Sequence, residues 1–221
     1  MIKKRIFLNL IFILLCHQSI LFAGEILEKN EFDYDKYLYG NYVEMEKNYK
    51  ESFEEIEKTA KQGNSHSQFN LGQMYYEGLG VEKDYKKAFQ WIEKSAKQGN
   101  IESQLFLVKM FYFGEGVEKD YKKAFQWCEK VAKQGNPKAQ FILGHMYYEG
   151  LGVKIDEQET VKWYEKSAQQ GYSDAQFYLG LMYYEGEGVE KNKSRAYRLF
   201  RQSAEQGNSD AEKALQEFDK F

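Results

Sequence analysis

From residue 65 onward, apolar and polar positions follow the spacing of helix faces, and the pattern returns every 36 residues. In the first unit Ser67, Leu71 and Tyr75 fall four apart, the stripe of an amphipathic helix. Gly78 and Gly80 interrupt it, and glycine is the residue that ends a helix in a left-handed cap and turns the chain. Val81 follows as an apolar plug, and Asp84 stands where an N-cap accepts backbone N–H groups. A second stripe, Ala88, Trp91, Ile92, Ser95 and Ala96, ends at Gly99. The spacing predicts two helices per unit, over 67–77 and 85–98. Gly72, Gly144 and Gly180 lie inside the first helix, where glycine costs up to ~1 kcal/mol, so their return predicts close helix approach. Val108 holds the same place in the second unit and predicts looser or shifted packing there.

The units run without a gap over 65–100, 101–136, 137–172 and 173–208. Residues 49–64 repeat only the second half of a unit, and the start of 209–221 resembles only the first half. One hairpin cannot bury its own apolar face, but a stack can, and atypical ends close the terminal faces. The expected shared core sets Trp91, Trp127 and Trp163 against Tyr75, Phe111, Tyr147 and Tyr183, with Leu199 replacing the tryptophan in the last unit. The expected fold is all-α. Residues 24–48 read either as a linker or as an N-terminal capping helix around 37–49.

Apolar residues at 43% and charged residues at 29% describe a globular chain. The formal net charge of −3 gives no basic face for phosphates, so a nucleic-acid partner is not expected. Lys3, Lys4 and Arg5 precede an apolar run and a small-residue stretch ending at Ala23, the layout of a secretory signal peptide over 1–23. Left uncleaved, the same segment is the one membrane anchor expected. The reading is an exported protein, periplasmic or secreted. Cys16 lies in that segment, which leaves Cys128 alone and rules out an intramolecular disulfide in the processed chain.

Ala139, Leu143, Gly144, Tyr147, Gly150, Gly152, Val153, Asp156, Trp163, Ala168 and Gly171 carry a pattern that resembles the Sel1-like repeat family, with Thr160 where alanine is usual. The resemblance implies a right-handed α/α superhelix, a solenoid akin to tetratricopeptide arrays, built here from four helical hairpins with half-repeat caps. It also implies an exported scaffold or adaptor that holds a protein or peptide partner in a concave groove. The competing class is a hydrolase, because cysteine-rich relatives of this family are described as penicillin-binding or β-lactamase proteins. That subgroup carries a cysteine pair in each repeat, and this chain does not. Neither Ser-x-x-Lys nor Lys-Thr-Gly occurs, and the histidines beyond the export segment, His66 and His145, form no metal-binding motif. A Cys128–His145 nucleophile and base is disfavoured, since Ile92, Tyr164 and Phe200 occupy the equivalents of Cys128 and mark a packing position. The recurring Gly-x-Gly-Val follows a helix, not a strand, so it is a turn and not a phosphate cradle. No catalytic, metal or cofactor residue is assigned.

Comparing units with one another points to a partner surface. Positions fixed by stacking recur, and free positions differ. On the first helix the second, sixth, ninth and thirteenth positions differ most, at spacings that share one face. They are His66, Asn70, Gln73 and Glu77, then Glu102, Phe106, Lys109 and Phe113, then Lys138, Ile142, His145 and Glu149, then Asp174, Tyr178, Leu181 and Glu185. First helices line the concave side of an α/α solenoid, which such folds use for binding. The candidate partner-binding residues are therefore Phe106, Lys109, Phe113, Ile142, His145, Tyr178 and Leu181. Phe106, Ile142 and Tyr178 also read as fillers between neighbouring first helices. The series Gln73, Lys109, His145, Leu181 is poor core material and is expected in solvent. The Lys86–Lys87 and Lys122–Lys123 pairs read as a solvated outer face.

Overall fold

Each unit closes its own helices. Asn64, Asn100 and Asn136 accept the N–H of Ser67, Ser103 and Ala139 at 2.8–2.9 Å, so each first helix starts two residues earlier than its apolar stripe. Asp84, Asp120, Asp156 and Asn192 cap the second helices in the same way at 2.9–3.0 Å. Gly78 and its equivalents end the first helices in the left-handed region, with φ between 70° and 81°.

The structure, a computed structural model, describes residues 34–218, with side chains over 47–217. The export segment expected over 1–23 lies outside the described residues. Ten helices follow in chain order among the described residues: α1 Tyr34–Lys61, α2 Ser65–Glu77, α3 Tyr85–Lys97, α4 Ile101–Phe113, α5 Tyr121–Lys133, α6 Pro137–Glu149, α7 Glu157–Gln169, α8 Ser173–Glu185, α9 Lys193–Ala204 and α10 Ser209–Phe218. No strand occurs among these residues, and the fold is an all-α helical repeat. Each helix packs on its neighbours in chain order, from α1 on α2 to α9 on α10. The helix α1 runs through the 37–49 stretch, and its second half takes the place of a second helix.

Two devices set the spacing. A Cβ on Gly144 would lie 2.7 Å from the Tyr164 ring, and one on Gly180 would lie 2.6 Å from Phe200, so α6–α7 and α8–α9 close directly on glycine. In the second unit Val108 fills that place, and the equivalent of Tyr164 and Phe200 is the small Cys128; both residues are buried. The two sizes partly offset each other, and α4 and α5 approach less closely than the paired helices of the other units, as the valine predicts. Between units, the Gln68, Gln104, Gln140 and Gln176 amides donate to the carbonyls of Ala60, Ala96, Ala132 and Ala168 at 3.0–3.4 Å. These bonds tie each first helix to the helix before it. Within units, Ser95, Ser167 and Ser203 donate to the carbonyls of Ser65, Pro137 and Ser173 at 2.7 Å, which satisfies buried hydroxyls on the otherwise apolar stripe.

Candidate functional site

The seven candidate residues lie on the first helices α4, α6 and α8, but they do not form one exposed strip. Phe106 is half-buried, with its ring edge-on to Phe69 at 6.1 Å and to Tyr76 at 5.0 Å, so it fills the gap between α2 and α4. Tyr178 is half-buried against Phe141 at 5.6 Å and Tyr164 at 6.1 Å. Ile142 is half-buried and packs between the two apolar clusters of the stack. Phe113 lies half-exposed at the end of α4, its ring edge-on to Tyr112 at 4.8 Å.

The expectation of solvent at the ninth position is corrected. Lys109 is 5% exposed and His145 is 4% exposed, while Leu181 is half-buried. The reason is a tyrosine at the twelfth position, which offers a flat wall to whatever stands there. The Lys109 ammonium lies 4.2 Å from the Tyr76 ring centroid and 5.1 Å from that of Phe106, so its stem is covered while its charge rests on aromatic faces. His145 stacks on Tyr148 with centroids 6.3 Å apart, and burial pushes its imidazole down to about 4.

That tyrosine series recurs in every unit, which in the sequence reads as stacking. In the structure it also reaches out. The Tyr76 hydroxyl donates to Glu115 at 2.8 Å, and the Tyr148 hydroxyl to Glu187 at 3.3 Å, each bond linking one unit to the turn of the next. Lys119 lies 6.0 Å from the Tyr112 centroid, and Lys191 lies 5.7 Å from that of Tyr184. Near the N-terminus of α8, Tyr172 replaces the capping asparagine and makes no cap bond; its ring packs on Phe141 at 5.5 Å instead. Beside it Asp174 is partly buried, which raises its carboxyl above the usual range, and accepts from Asn208 at 3.2 Å.

An open groove of about 560 Å³ is lined by α3, α4 and α5, with Phe89, Phe111 and Trp127 in its wall. Lys123 lies over Phe111 at 5.4 Å and Lys130 over Trp127 at 5.1 Å, so cations already cover those rings. Cys128 is fully buried, with its thiol 3.4 Å from the Ala139 carbonyl, and burial pushes the thiol far up. A thiol so placed is a packing group and not a nucleophile. Among the described residues no group of three or more His, Cys, Asp or Glu is placed to hold a metal ion, and no helix is long and apolar enough to cross a membrane.

Capped hairpins stacked in register, tied by a recurring glutamine ladder, define a helical-repeat solenoid. The chain belongs to the Sel1 repeat family, whose pattern matches residues 65–100, 101–136, 137–172 and 173–208. Proteins of that family are commonly protein-interaction scaffolds. Two solved structures are similar. One is a protective antigen present in uropathogenic Escherichia coli strains, 40% identical, with a TM-score of 0.73 over 76% of this chain and 36% of that one. The other is a Sel1 repeat protein from Oxalobacter formigenes, 34% identical, with a TM-score of 0.70 over 77% of this chain and 50% of that one. The chain thus spans half or less of the length of these relatives. Among curated proteins no sequence matches it.

Proposed function

We propose that this chain is exported, to the periplasm or beyond the cell, and acts as a scaffold that holds a protein or peptide partner in the groove lined by its first helices. The observation that carries this reading is the contrast along those helices. The residues that tie unit to unit recur, whereas Phe113 and Leu181 stand half-exposed where other units carry different residues, and the acids Glu77, Glu149 and Glu185 hold the place of Phe113 in the other units. Apolar positions rimmed by charge favour association. The basic start and apolar run before Ala23 support export.

The test is cross-linked capture from native envelope with the full chain as bait. A second bait carries Phe113→Ala and Leu181→Ala, and a third carries Lys86→Ala and Lys122→Ala on the outer face. Lys109 and His145 are left intact, because replacing a buried group confuses folding with binding. A partner lost at least about tenfold by the second bait and kept by the third supports the groove, given that a buried anchor at an interface is worth over ~1 kcal/mol. Equal capture by all three moves the site elsewhere, and capture of nothing removes the scaffold reading.

A further inference from the structure

The surroundings of Tyr76 and Tyr148 are the same place in the fold, two repeats apart. At the first, Tyr76 donates to Glu115 at 2.8 Å and the Lys109 ammonium lies 4.2 Å from the ring centroid. The arrangement is a cation held by an aromatic face whose hydroxyl is bonded to a carboxylate. At the second, Tyr148 stands for Tyr76 and Glu187 for Glu115, and the hydroxyl-to-carboxylate bond is kept at 3.3 Å. The cation is replaced, since Leu181 stands for Lys109.

Other repeats bring a lysine to this tyrosine from a different position. Lys119 covers Tyr112 and Lys191 covers Tyr184, each from the turn that follows the first helix. The third repeat has Ile155 there. Among the described residues, no lysine or arginine lies over the Tyr148 ring; Lys154, beside Ile155, is exposed and covers no ring. Tyr76, against which Lys109, Phe106 and Tyr85 all pack, is 7% exposed, whereas Tyr148 is 37% and Ile155 is 67% exposed. Glu149 and Glu157 join Glu187 in acting on the Tyr148 hydroxyl, so the ring lies in a field of carboxylates.

We propose that Tyr148 and Glu187 form a receiving subsite for a lysine side chain of a partner protein. The part of the ring that His145 does not stack on takes the ammonium, Glu187 supplies the counter-charge, and Leu181 and Ile155 border the methylene stem. The molecule carries its own precedent for this chemistry at Tyr76, where Lys109 fills the equivalent place. The acids around Tyr148 make the complement basic, not acidic. The subsite rests on the scaffold reading and names the side chain that the groove selects.

The test uses the full chain with labelled tyrosine rings, titrated with acetyl-Ala-Lys-Ala-amide and with the same peptide carrying norleucine in place of lysine. The lysine peptide is expected to shift the Tyr148 ring signals saturably and to move its own ε-methylene protons upfield, and the norleucine peptide to do neither. Glu187→Gln is expected to weaken the response about two- to fivefold. Leu181→Lys is expected to abolish it, because the tethered ammonium fills the ring as Lys109 does at Tyr76. Should Leu181→Lys fail to fold, Glu187→Gln and the norleucine peptide decide the matter. Equal response to norleucine, or an unchanged response in a folded Glu187→Gln chain, overturns the subsite. Shifts of the same ring on raising the protein concentration alone would replace the separate partner with a second copy of this chain. Partner capture that persists while the lysine peptide fails to bind sinks the subsite and leaves the scaffold; failure of both sinks the two together.

Discussion

Lys109 and His145 occupy equivalent positions on successive first helices, and each is almost covered. Lysine lays its ammonium against two aromatic rings there. Histidine gives its charge up, because burial holds its imidazole near 4 while an unfolded histidine titrates near 6.5. Below about 6.5 the unfolded chain therefore binds a proton that the folded chain refuses until about 4. Stability from this residue is complete above that window and drains as the pH falls through it, by about 3 kcal/mol. His145→Leu, which installs the residue found at the equivalent Leu181, removes that dependence. Urea melts at pH 7 and pH 4.5 are expected to show wild type losing more stability than the variant. Equal losses would mean that the imidazole is not held neutral.

At the scale of helix pairs, a glycine on the first helix faces Ile92, Tyr164 or Phe200 on the second, and the second unit reverses the sizes with Val108 and Cys128. Volume is conserved across the pair, not at each residue, as close packing requires. Cys128→Tyr is expected to cost about 1–3 kcal/mol by overpacking against Val108. Adding Val108→Gly is expected to return about 1 kcal/mol or more, a coupling that a double-mutant cycle in urea reads directly. Additive effects would show that the two side chains do not share a space. A single column of the repeat reveals the glycine rule and its exception; only the facing helix shows what the exception is paired with.

Across the whole molecule, each helix packs on its neighbours in chain order, so stability is a sum of units and of the joints between them. Units that repeat without a gap are interchangeable in register. Deleting residues 101–136 joins the first unit to the third and is expected to leave a cooperatively folded, shorter stack. Its far-UV circular dichroism keeps a helical shape, and its Tm falls by on the order of 10 °C as one unit and one joint are lost. A chain that no longer folds would show that the second unit is a required nucleus and not one member of a series. The polar ends suit the same logic. Glu55 stands on α1 where internal units have Trp91 and its equivalents, and Gln216 stands on α10 where three of the four units have glycine. Both changes suit faces that no further unit covers.

Hairpin boundaries, caps, the repeat register and the all-α class are written in local residue order, because helix periodicity, capping and glycine turns depend on residues within a few positions of one another. That is why the family was legible in Gly150, Asp156 and Trp163 before any contact was known. Exposure at the variable positions was not legible in this way. Gln, Lys and His in one column describe a solvent face when taken alone, yet Lys109 packs on Tyr76 of the unit before it and His145 is buried in the stack. The tyrosines recur, which in the sequence reads as stacking, and their role depends on what the next unit brings to the ring. A side chain's burial is a property of the elements packed against it, thirty or more residues away in the chain, so only the stacked structure assigns it.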